Sequence, residues 1–350
     1  MRHSHPAVTP LPPPCASHIP VHELENLNIR PAPGAHHSMS FRNPKSRRKS
    51  RRVAKLRKEG KAINQIANLA PDVAAKLLMR TFIYPQRSVA SDTAAEVLSE
   101  AESLRMDFGR TRLQVYRWHG DGTAPTVALF HDWEQESGYF ADYVAPLVDK
   151  GCTVLAMDAP ASGHSGGKRL SLREYVNAIH SFRQNFGPFQ TAVAHGLGGS
   201  ALVQALAQQQ PRLRPERVAL LGVNANSRAV FERRLAGLGI DELVRMKFWR
   251  KLDKTRDIPL GLYDNTLAVK RLSDVEGCII HDVADARYPV EEAEAVHAAW
   301  EGSSLTTLEG FGHALSGKDV IARVLPFVSA RKLAGDTYTD VVNAARALAA

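Results

Sequence analysis

The chain has 350 residues, a hydrophobic fraction of 44% and a formal net charge of +9. That length accommodates one large α/β domain with extensions, and no apolar run reaches the roughly 18 residues of a membrane span. The three cysteines, Cys15, Cys152 and Cys278, form no spaced pair. This argues against a disulfide framework or zinc ribbon and suits a reducing, cytoplasmic setting.

In chain order, residues 1–60 read as disordered, first rich in Pro and His and then strongly basic. The opening MRHSHPAVTPLPPPCASHIP has no apolar core of a signal peptide, and Met39 is an alternative start. Residues 42–61 hold eleven Lys or Arg and a single acid, Glu59, so the segment carries +10 and the rest of the chain sums to about −1. Such an arm is either a solvated tail or a contact for nucleic acid or anionic lipid. Residues 61–99 predict leader helices, with a break near Pro71.

From about residue 100 a regular alternation sets in. Strands are expected at 104–108, 113–118, 126–131, 152–158, 191–194, 217–223, 278–282 and 304–308. Helices are expected near 137–149, 171–184, 198–209, 289–300 and 317–330. Two strands in a hairpin followed by β-α-β-α predict an α/β fold, with a mostly parallel sheet covered by helices on both sides. Residues 226–275 interrupt the alternation with a charged, helix-prone insertion placed where a lid would sit. The tail 332–350 predicts a short helix with Val341, Val342, Ala345 and Leu348 on one side.

Four stretches, in this order, give 100–331 its resemblance to the α/β-hydrolase superfamily, of the small-cap esterase, lysophospholipase-like and serine aminopeptidase-like kind. ALFHDWEQESGYF (128–140) resembles the loop that supplies an oxyanion-hole amide. VLAMDAPASGHSGG (154–167) resembles the Asp-x-Pro-x-x-Gly-x-Ser loop. AHGLGGSAL (194–202) resembles the nucleophile elbow, and IIHDVADARYPV (279–290) with LEGFGHAL (308–315) resembles the acid and histidine loops. The order nucleophile, acid, histidine is the one this fold uses.

The resemblance implies His313 as the catalytic imidazole and Asp285 as the acid that orients it, with Asp282 as the alternative. It places Gly196 where the nucleophilic serine belongs. Glycine enters the positive-φ conformation of that turn freely, whereas a serine there is strained; without a nucleophilic side chain no acyl-enzyme forms. By the same analogy the amides of Trp133 and Leu197 form the oxyanion hole, and His131, Asp132 and His195 line the pocket with Trp133, Tyr139 and Phe140 nearby. Asp132 replaces the usual glycine, and its carboxylate would oppose a developing oxyanion if it faced the site. Ser165 matches G-x-S-x-G formally but starts no helix, and Ser200 lies one turn past the elbow; neither is expected to be a nucleophile.

Three functional readings follow. In the first, the chain is an esterase-like pseudoenzyme, inactive or weak as a serine hydrolase, that keeps a pocket for a small apolar or ester-like ligand. In the second, Asp285 and His313 activate a water. In the third, the basic arm binds nucleic acid or a membrane surface and the globule is a scaffold. No cofactor is implied, and no metal site: the pairs His131-Asp132 and His281-Asp282 are the nearest approach to one.

Overall fold

The computed structural model describes residues 44–254 and 263–330, with side chains from residue 57 onward. The expected tail helix and part of the lid insertion lie outside the described residues. From Lys49 on, the described residues form one compact unit.

Eight strands form one sheet in the order β1-β2-β4-β3-β5-β6-β7-β8. They are β1 (Glu102–Phe108), β2 (Thr111–Trp118), β3 (Thr126–Phe130), β4 (Thr153–Met157), β5 (Thr191–His195), β6 (Arg217–Leu221), β7 (Glu276–Asp282) and β8 (Ser303–Leu308). β1 and β2 form the hairpin, β2 pairs antiparallel with β4, and β3 to β8 run parallel. Every residue of β5 and β6 is buried. That explains why TAVAH and RVALL read as continuous apolar runs without alternation: both faces of a central parallel strand are covered.

The two faces carry separate cores. On one, Leu155 and Met157 pack with α5 (Leu172–Phe186), α6 (Gly196–Ala207), α9 (Asn265–Val269) and α10 (Val290–Ala299). On the other, Val154 and Ala156 pack with α3 (Asp92–Ser99), α4 (Ala141–Val148) and α11 (Lys318–Ser329). Alternate residues of one strand thus feed opposite cores, the period of two that a pleated strand imposes. At the start of α5 the Ser171 hydroxyl accepts from the Glu174 amide at 3.2 Å, and the Glu174 carboxylate accepts from the Ser171 amide at 2.8 Å. This capping box satisfies two backbone donors that the first turn leaves over.

Of the stretch expected to be disordered up to residue 60, residues 1–43 lie outside the described residues, and the part from Pro44 is helical. Pro44–Leu69 is one helix, α1, and α2 (Pro71–Ile83) follows the predicted break. Lys, Arg, Ala and Leu are good helix formers, so a basic composition does not exclude a helix. A third apolar cluster joins this leader to the insertion. Ile63, Ala67, Leu78 and Phe82 pack against Leu235 of α7 (Ser227–Leu238) and Val244 and Phe248 of α8 (Glu242–Lys254). The Phe82 ring stacks on Phe231 at 4.6 Å. Gly60 lies against the Leu238 carbonyl with no room for a side chain.

Candidate functional site

The site lies at the carboxyl ends of β3, β5, β7 and β8, where loops of an open parallel sheet gather. Its floor is the turn from β5 into α6. Gly196 begins the helix at φ +51°, in the left-handed region that favours glycine. Gly198 allows the helix to press on β3: a Cβ there would lie 2.5 Å from the Phe130 and His131 carbonyl oxygens.

The loops after β7 and β8 supply the imidazole and its acid. Asp285 Oδ1 accepts from the amides of Arg287 at 2.7 Å and Tyr288 at 3.1 Å. Its Oδ2 accepts from His313 Nδ1 at 2.7 Å. Asp282 does a different job: Oδ1 accepts from the Ala284 amide and Oδ2 from the Phe311 amide, tying the two loops together. Of the two candidate acids, Asp285 is therefore the one that meets the imidazole. Tyr139 supports the histidine loop by donating its hydroxyl to the Ala314 carbonyl at 2.6 Å.

Asp132 does face the site, from the loop after β3. Its Oδ1 accepts from the Leu197 amide at 2.6 Å. Its Oδ2 accepts from His313 Nε2 at 3.1 Å and from the Arg287 guanidinium at 2.5 Å. The carboxylate fills the space above Gly196: a Cβ on residue 196 would overlap Asp132 Oδ1 and Cγ and stand 2.9 Å from its Cβ. The Leu197 amide, expected in the oxyanion hole, is thus already bonded to a carboxylate of the same chain. Trp133 NH-ε1 is buried without a partner.

Four charges follow from this geometry. Burial works to raise the Asp132 carboxyl, but the Arg287 guanidinium and the His313 hydrogen bond prevail and hold it far below the usual carboxylate range. Burial works against the charged His313 ring, yet the hydrogen bonds to Asp132 and Asp285 hold it above its ordinary value. Asp285 is depressed in turn, its hydrogen bond from His313 outweighing burial. Each nitrogen of His313 faces a carboxylate oxygen, so both donate, and the ring sits as a cation between two anions. Arg287 completes a neutral quartet.

One expected pocket residue, His131, and one residue expected nearby, Phe140, are held in the interior. His131 is fully buried; its Nδ1 donates to the Asp132 carbonyl at 2.7 Å and its Nε2 accepts from the Ala159 amide at 2.9 Å. It braces two loops and does not line a pocket, because both ring nitrogens are consumed by backbone. Phe140 is likewise buried in the sheet core. His195 lies beside the site, its ring stacked on Tyr139 at 4.6 Å and 5.0 Å from His313. Burial pushes its pKa down to about 4.

The serines behave as packing groups. Ser165 Oγ donates to the Asp158 carbonyl at 2.6 Å and accepts from the Gln114 amide at 2.8 Å. Ser200 Oγ bonds Asn224 and Asn265 in a buried network. Arg287 is the site residue that sequence reasoning missed. It stands two residues after Asp285, inside the motif already singled out, but its partner is 155 positions away.

A sequence profile described as "Alpha/beta hydrolase family" matches residues 118–345. The chain belongs to the α/β-hydrolase family. Among solved structures, an esterase from Pyrococcus furiosus aligns with a TM-score of 0.52 at 16% identity, covering 70% of this chain and 97% of that one. A predicted CIB-like hydrolase from Thermoplasma acidophilum aligns at 0.48 and 14%, covering 65% and 97%. Est1E from Butyrivibrio proteoclasticus, solved with ferulic acid bound, aligns at 0.49 and 17%, covering 60% and 91%. No curated protein sequence matches the chain. The esterase likeness supports the fold: an eight-stranded, mostly parallel sheet flanked by helices. No helix among the described residues is long and apolar enough to cross a membrane.

Proposed function

We propose that the protein is an esterase-type α/β-hydrolase homologue without a serine nucleophile, inactive as a serine hydrolase and closed at its reaction centre by its own Asp132. One observation carries this reading: the Asp132 carboxylate fills the space above Gly196 while bonded to both the Leu197 amide and His313. A carboxylate so held has the contacts of a bound carboxylic acid product, one oxygen on an oxyanion-hole amide and the other on the imidazole. Trp133, with its buried and unpartnered indole NH, is the group left to meet a small apolar or ester-like ligand.

The water-activating reading has less support. A general base needs a free nitrogen at working pH, and His313 presents two protonated ones to two carboxylates. The deciding experiment is p-nitrophenyl acetate hydrolysis by the wild type, Gly196→Ser, Asp132→Gly and the double variant. The expected result is turnover in the double variant alone. Wild-type turnover abolished by His313→Ala would overturn the proposal. The basic arm at 42–61 remains a proposed contact for nucleic acid or anionic lipid; a chain cut after residue 61 that binds neither differently would remove it.

A further inference from the structure

Asp132, His195 and His313 each bring one possible ligand atom to within 4.8 Å of the others. Asp132 and His313 stand on the loops after β3 and β8, and His195 is the last residue of β5; Asp132 belongs to the His131-Asp132 pair, and none of the three lies in the pair at 281–282. Asp132 Oδ2 and His313 Nε2 are 3.1 Å apart. An ion with bonds of about 2.0–2.2 Å to oxygen and imidazole nitrogen in tetrahedral geometry spans ligand atoms at close to that separation. His313 is also backed in the way a metal-bearing imidazole is: its other nitrogen donates to Asp285 at 2.7 Å, which fixes the ring and raises its basicity.

His195 supplies an independent observation. Its Nδ1 faces Gln135 Oε1 at 3.0 Å and its Nε2 faces the His313 carbonyl at 2.8 Å. Gln135 Oε1 also accepts from the Asp132 amide at 3.1 Å, which fixes that side chain with its oxygen toward the histidine. Both neighbours are acceptors, whereas a neutral imidazole has one N–H and one lone pair. One nitrogen of a fully buried ring therefore points its lone pair at oxygen. A cation bonded at Nδ1 would take the place of the Gln135 oxygen and remove the mismatch, while Nε2–H keeps its bond to the His313 carbonyl and holds the ring. Arg287, the present counter-charge of Asp132, is on a side chain that is 35% exposed, so its displacement leads toward solvent.

We propose that Asp132, His195 and His313 form a binding site for a first-row divalent metal ion of the zinc type, entered by displacement of Arg287 and of the His313 Nε2 proton, which is released to solvent as the ion binds. Two imidazoles and one carboxylate are a donor set that suits Zn2+ and leaves a fourth position for water. The site needs no turnover, so it stands apart from the reading of the chain as a serine hydrolase homologue.

The test is Co2+ titration of the purified full-length protein after chelator treatment, read by the visible absorption of four-coordinate Co2+, with Zn2+ as competitor. The amino-terminal histidines His3, His5, His18, His22, His36 and His37 are present in every variant, so the differences isolate the site. The expected result is a band that saturates with one ion per chain, collapses on Zn2+ addition and is lost in Asp132→Asn and His313→Gln. Asp285→Asn should weaken binding by about 10–100-fold, because the carboxylate that orients the ligating imidazole is lost. Arg287→Gln, at a partly exposed position, keeps the test sound if a buried variant fails to fold; it should bind several-fold more tightly. No four-coordinate band, a band untouched by His313→Gln, or weaker binding by Arg287→Gln would each overturn the proposal.

Discussion

The two halves of the site differ in what they keep. On the side of β7 and β8, Asp285 and His313 hold the geometry of an acid and its imidazole, with Asp285 further fixed by two backbone amides. On the side of β3 and β5, Gly196 has no side chain and Asp132 fills the space. The two departures are complementary. The carboxylate fits only because residue 196 has no Cβ, and glycine at 196 leaves a space that Asp132 occupies. What looks in the sequence like two separate losses is one packing solution.

Breaking that complementarity should have the largest effect. Gly196→Ser alone should stay inert because its side chain meets Asp132. Paired with Asp132→Gly it should raise ester turnover by at least about 10²-fold over either single variant. Activity from the single Gly196→Ser variant would show that the two positions are independent.

Removing the carboxylate in place comes next. Asp132→Asn leaves Arg287 and His313 without their shared partner and should cost about 3 kcal/mol near neutral pH by urea denaturation. The same variant tests the pH dependence. The depressed Asp132 contributes stability that is present above about pH 4 and lost as pH falls through its folded pKa. The raised His313 contributes stability that is complete below about pH 6.5 and lost as pH rises through its folded pKa. The wild type should therefore gain most from the quartet between these limits. NMR titration of His313 in Asp132→Asn should show a lower pKa than in the wild type.

A comparable effect sharpens the comparison further. Gly196→Ala should destabilise the wild type by about 2–4 kcal/mol through strain and overlap together. In an Asp132→Gly background only the strain of about 1 kcal/mol should remain. A cycle over the two positions would read their coupling directly. Smallest of all, Ser165→Ala should cost about 1–2 kcal/mol for its two buried hydrogen bonds and leave every activity measurement unchanged.

The central strands β3 to β7 were legible because each carries a short apolar run with turn residues at its ends, and buried parallel strands need little else. The pairing of His313 with an acid was legible from chain order, and the structure separates Asp285 from Asp282 by which backbone amides each carboxylate accepts. The direction of Asp132 was not legible. It depends on where one loop side chain points and on Leu197 and Arg287, which lie 65 and 155 positions further on. The full burial of His131 and Phe140 was not legible for a related reason: a motif fixes which loop a residue is on, whereas burial depends on what packs over that loop. The helix over Pro44–Leu69 was hidden by charge, which is a poor guide to backbone conformation in a segment otherwise made of good helix formers.

The cluster that joins Phe82 of the leader to Phe231 and Phe248 of the insertion also has a bearing on how the chain is made. The leader leaves the ribosome well before the residues that cover it. At about 5–20 residues per second, its apolar face waits on the order of ten seconds for its partner to emerge. A recombinant chain trimmed at the leader would carry the same exposure into its finished state, on the insertion side.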